Sequence, residues 1–216
     1  MDITTPAPRV VRRSVGIGML IYGIGTLVGF ASSGSPGGDY TDAMVSHYIG
    51  SGHLVVAWGF WYLVALSGLG LLVAAPGLRE LRSIGGFIAG LATAGAALAV
   101  TGAFISGGVA VAVAEGGHDV RAGVTLPVFY TLTEIGNLIA VCAPALCMGV
   151  AALVLAARGP LPTWLRVVSA VAGVCGILAP LFFTYFLYAL WTVIIGITWT
   201  RRRSADQITA PEPSLV

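Results

Sequence analysis

Apolar residues run along the chain in long blocks, and polar residues gather in the short breaks between them. The first block, SVGIGMLIYGIGTLVGFAS at 14–32, follows Arg9, Arg12 and Arg13. The second, HLVVAWGFWYLVALSGLGLLVAAP, ends at Pro76, and the basic loop GLRELRS separates it from IGGFIAGLATAGAALAVTGAFISGGVAVAVA. After the polar patch EGGHDVRAG a fourth block runs to Arg158, and GPLPTWLR then leads into a last apolar stretch that stops at Arg201, Arg202 and Arg203. About 20 apolar residues cross the roughly 30 Å hydrocarbon core of a bilayer, so each block predicts a membrane-spanning helix.

The last stretch decides the number of spans. The 40 residues from Leu161 to Thr200 would make one helix of about 60 Å, twice the hydrocarbon thickness. A break near Pro180 gives two helices of about 18 residues, with LAPLFF as the turn and Arg166 snorkelling to the surface. The expected fold is therefore all-α, a polytopic bundle of six transmembrane helices. Six spans put both termini on one side together with Arg9, Arg12, Arg13, Arg79, Arg82, Arg158 and Arg201–Arg203, and leave only Arg121 on the other. The positive-inside rule makes that side cytoplasmic. The expected organisation is a cytoplasmic tail at 1–13, a six-helix membrane domain at 14–200 and a polar, Pro-containing cytoplasmic tail at 201–216.

Composition changes the picture only by exclusion. Of 216 residues, 57% are hydrophobic and 9% charged, where a soluble domain carries roughly 25% charged residues. Net charge is +2, all eleven basic residues are Arg, and they flank apolar blocks, which argues against a nucleic-acid partner. The partner implied is the lipid bilayer of a cell (inner) membrane. Cys142, Cys147 and Cys175 lie inside apolar runs, where Cys acts as a small hydrophobe, and their spacing gives no zinc or disulfide framework. A signal peptide shares the charged start and a small-residue exit such as ASSGS, but the first block is long for one. It also carries Gly25 and Gly29 at GxxxG spacing, and the third block carries Gly86 and Gly90; both pairs are expected to serve helix packing. LLVAAPGLRELRSI and LVLAARGPLPTWLRVV share a loose pattern that coincidence explains in so Ala- and Leu-rich a chain.

One carboxylate stands inside an apolar block, in VFYTLTEIGNLIAVCAP at 128–144. Counting about 20 residues back from Ala157 reaches Leu138, so Glu134 falls about 6 Å beyond the hydrocarbon on the outer side. Thr131, Glu134 and Asn137, at i, i+3 and i+6, are the candidate lining of an outward-facing polar vestibule in which Glu134 takes a cation or a proton.

The third and fourth blocks exceed one crossing, and Thr41 suits an N-cap for an early start of the second helix, so helices 2–4 are expected to extend on the outer side. His47, His53 and His118 fall there, with Glu115 and Asp119. They are candidates for an external metal site or a pH-sensing cluster. The six-residue gap between His47 and His53 places them about 240° apart on one helix, so the metal reading lacks geometry. The aromatics of FFTYFLYALW, and Trp58, Phe60, Trp61 and Tyr62, are candidates for a ligand groove or for an interfacial belt. No nucleotide-binding loop, nucleophile elbow, H-E-x-x-H or CxxC occurs, so no catalytic residue is assigned and no cofactor is expected.

Six short spans with LPTWLRVVSAVAGV stepping into the fifth resemble bacterial six-span integral membrane families of unknown function. The resemblance implies no activity. Three functions compete. The first is an accessory or oligomeric subunit that acts through helix–helix contacts with a second copy or another membrane protein. The others are a small transporter or cation- or proton-handling protein using Glu134, and a metal- or haem-dependent redox protein.

Overall fold

A computed structural model describes residues 9–32, 43, 53–115, 126–181 and 183–201. Among them are six helices. These are α1 (Arg9–Ser32), α2 (His53–Arg79), α3 (Gly85–Glu115), a compound α4, α5 (Thr163–Ile177) and α6 (Phe183–Arg201). In α4 the α-helical segments Leu126–Asn137 and Ala143–Arg158 are joined by a π-helical turn at Leu138–Cys142. Trp58–Arg79, Gly85–Val113 and Thr131–Arg158 are long and apolar enough to cross a membrane.

The break near Pro180 is present. A 3-10 turn at Ala179–Leu181 ends the α5–α6 hairpin, because Pro180 cannot supply the N–H that would continue α5. The helices are unequal, 15 and 19 residues, against two of about 18 expected. At the start of the chain α1 begins at Arg9 instead of at 14, so the basic residues before the first block belong to its opening turns. α2 runs one turn past Pro76 to Arg79, since a proline in the last turn leaves the earlier hydrogen bonds intact.

Each helix packs antiparallel on its neighbour in sequence, and α6 returns to pack on α1, closing the bundle. The seams are tight because glycines face backbone across them. A Cβ on Gly18 would come 2.6 Å from the Ala74 nitrogen, one on Gly102 2.6 Å from the Gly136 oxygen, and one on Gly149 2.9 Å from the Gly173 oxygen. Lipid gives helices no hydrophobic reason to associate, so close backbone approach has to supply the attraction through dispersion. Tyr22, Tyr188, Trp191, Met19, Leu71 and Met148 fill the interior.

Arg13, Arg79, Arg158, Arg166 and Arg201 all lie toward one end of the bundle. The opposite end is stepped. The Ala179–Leu181 turn packs beside Leu138–Cys142, and Gly102 faces Ala140 at about the same level. α3 continues past this level to Glu115 and α4 begins beyond it at Leu126. The two make a helical spur about 18 Å long at 1.5 Å per residue. This matches the expected excess length of helices 3 and 4. The early start of helix 2 at Thr41 lies outside the described residues.

Candidate functional site

Pro144 shapes the region where the polar candidates sit. It has no N–H for the carbonyl of Ala140, four residues back, and its ring would press on that carbonyl in a regular helix. The chain answers with the π turn, in which the Ala143 N–H donates to the oxygen of Leu138, five residues away. The Pro144 backbone lies against α3 at Gly95, where only a hydrogen stands in the way. The helix is therefore widened here and continues.

One turn beyond, toward the arginine-poor end, stand Asn137 and Glu134. Phe129, Thr133, Gly136 and Ala140 form the stripe toward α3, where the Ser106 hydroxyl donates to the Thr133 carbonyl at 2.8 Å. Val128, Leu132, Ile135 and Leu138 form an exposed apolar stripe. Glu134 and Asn137 belong to neither. They are half-buried and share a flank with Val141, which is seven residues from Glu134 and buried where the α5–α6 turn packs against the π segment. Thr131 is exposed, about 60° from Glu134 on the side away from Asn137.

Below this point the interior is stitched by hydroxyl groups. Tyr188 donates to the Tyr22 hydroxyl at 3.3 Å, joining α6 to α1. Thr26 and Ser67 share a 2.9 Å bond between α1 and α2, and the Trp191 Nε1–H donates to Ser169 at 2.9 Å between α6 and α5. Tyr185 is buried beside Tyr188, with ring centres 6.0 Å apart. The FFTYFLYALW aromatics are thus divided: Tyr185, Tyr188 and Trp191 point inward at helical spacing, while Phe186, Leu187 and Leu190 are exposed. Tyr22, Thr26, Ser67 and Ser169 were not singled out in the sequence. Their signal is weak, a Tyr and a Thr at i, i+4 and isolated serines in apolar runs.

The second aromatic group is on the outside. Trp58, Tyr62 and Phe104 are exposed and rim a shallow crevice between α2 and α3 that the buried Trp61 and Gly107 also line; Phe60 is not part of it. Trp58 stacks on Tyr62 with ring centres 5.7 Å apart. Comparison with family models, with curated proteins and with solved structures found no match.

The histidine cluster falls largely out of view, because His47, His118 and Asp119 lie outside the described residues. His53 opens α2 and Glu115 is exposed at the end of α3. Among the described residues no group of three or more His, Cys, Asp or Glu could hold a metal. The cysteines are all free.

The two glycine pairs have different surroundings. Gly25 meets Ser67 and Gly29 meets Val64, both within the bundle. A Cβ on Gly86 or Gly90 would meet nothing within 4 Å. These two point away from the chain, in line with exposed Ala94, Ala97 and Thr101.

Proposed function

We propose that this chain is a six-span protein of the bacterial inner membrane, with both ends of the described bundle on the cytoplasmic side, and that it works as a subunit that self-associates through α3. The gathering of arginines at one end supports the orientation. The open Gly86–Gly90 pair carries the association. Glycines elsewhere in the bundle, such as Gly18, Gly102 and Gly149, lie under another backbone. On a lipid-facing surface a glycine weakens its helix by about 1 kcal/mol relative to Ala and gains nothing from packing. The small face Gly86, Gly90, Ala94, Ala97 lets a second backbone come close, which is what drives helix association in lipid. A two-fold arrangement brings the same face from both copies together, the commonest symmetry of homo-oligomers.

Gly90→Leu tests this cleanly, because the side chain enters open space in the monomer and leaves the fold intact. Light scattering after mild solubilisation should report a dimer for the native chain and a monomer for the variant. A Gly86→Cys chain should form an intermolecular disulfide when isolated membranes are treated with an added oxidant such as copper phenanthroline. A native chain that is monomeric and does not cross-link at this position removes the reading.

A further inference from the structure

Glu134 and Asn137 are half-buried together on one flank of α4. Neither side chain makes a hydrogen bond or an ion pair among the described residues. The described arginines are all at the opposite end of the bundle, and Arg158, 24 residues along α4, is about 36 Å away; at the Glu134 end the described residues include the imidazole-bearing His53, which opens α2. A half-buried carboxylate at the edge of a bilayer is costly unless something cationic lies against it.

The donor count says which cation. Divalent metal ions want about six oxygen ligands or more, and Glu134 with Asn137 supplies three at most. A primary ammonium has three N–H donors on one nitrogen. The two Glu134 oxygens and the Asn137 amide oxygen, one turn apart on the same flank, can accept all three. The level is also specific. Glu134 lies just beyond Leu138, about 30 Å along α4 from Arg158, where headgroups meet hydrocarbon. From that level toward the arginine-rich end, the exposed Leu138 and Leu146 lie on the hydrocarbon side, where the tail of such a lipid would run. The geometry points to a binding site for a primary ammonium group, held by Glu134 and Asn137 above the α5–α6 turn. The ammonium is carried by an aminophospholipid headgroup or by a small free amine.

The test uses the purified full chain in mixed micelles of phosphatidylethanolamine and phosphatidylcholine, read by native mass spectrometry of retained lipid. Phosphatidylethanolamine should be retained about tenfold over phosphatidylcholine, the worth of one charge-assisted hydrogen bond. Glu134→Gln, isosteric and uncharged, should bring the ratio to about one, and Asn137→Ala should lower it part-way. Glu115→Gln, an exposed acid at the same end, should leave it unchanged. If ethylamine binds and the lipid ratio is flat, the source is a free amine; if the ratio is high and ethylamine does not compete, it is the lipid. Arg121, outside the described residues, gives the opposing outcome: if the native chain binds neither and Arg121→Gln gains the ratio, Glu134 is an internal ion-pair partner and the site is withdrawn. Retention that survives in Glu134→Gln also overturns it, as does a flat lipid ratio together with no ethylamine binding to the native chain.

Discussion

A methyl group added at Gly102 or at Gly90, on the same helix and twelve residues apart, meets opposite surroundings. At Gly102 it runs into Gly136 and Ala140 across the α3–α4 seam; at Gly90 it meets open space. Gly102→Ala should lose about 1–3 kcal/mol by overpacking. Gly90→Ala should be neutral or gain up to about 1 kcal/mol of helix propensity. Thermal unfolding in detergent checks both, and equal shifts would mean that the seams are placed wrongly. Glycine spacing in the sequence cannot separate these cases. GxxxG marks a helix that can be approached closely, and Gly25–Gly29 and Gly86–Gly90 look alike until the partner helix is known. Glu134 was easier to read, since a carboxylate in an apolar run is rare whatever the fold. The buried Tyr22–Tyr188 pair was not readable, because its residues are 166 positions apart and each alone suits an interfacial belt.

At the scale of elements, prolines were the clearest marks and also the least uniform. Pro180 ends a helix, Pro76 sits harmlessly in a final turn, and Pro144 is absorbed by a π turn inside a helix that goes on. Residue type was the same in each case, so the outcome depended on what surrounded it. At Pro144 the helix continues because α3 holds both halves of α4, through Gly102 and Ser106 on one side of the turn and Gly95 on the other. A π turn is equivalent to one inserted residue. Removing Ile139 together with Pro144→Ala should therefore restore a regular helix and keep the facing of both halves. Removing Val150 instead should turn one half by about 100° against its partners. The first variant should stay monodisperse in detergent with a melting temperature near the native value, and the second should aggregate. Similar behaviour of the two would show that the π turn does not set the register.

For the whole molecule, the run of apolar blocks was enough to foresee the six helices among the described residues and the break near Pro180, though not where the first two helices start and stop. The stepped end was legible only as excess length. That α3 and α4 stand beyond the α5–α6 turn depends on which helices pair. A fluorescent protein fused after Val216 should fold and glow on the cytoplasmic side, and alkaline phosphatase inserted between Glu115 and Leu126 should be active on the other. Phosphatase activity at the end of the chain would reverse the orientation and move Glu134 to the cytoplasmic leaflet.

The closure of α6 onto α1 carries a consequence for biogenesis. Gly16 lies against Thr200 and Gly23 against Thr192, so α1, made earlier, finds this neighbour only when α6 has been made. Until then one glycine-lined side of α1 faces lipid or an insertion chaperone, and the five-helix nascent chain is an open arc. The arc shuts once α6 is available to pack on α1. A ribosome stalled before residue 183 would leave a product that quality-control proteases can distinguish by its unclosed edge.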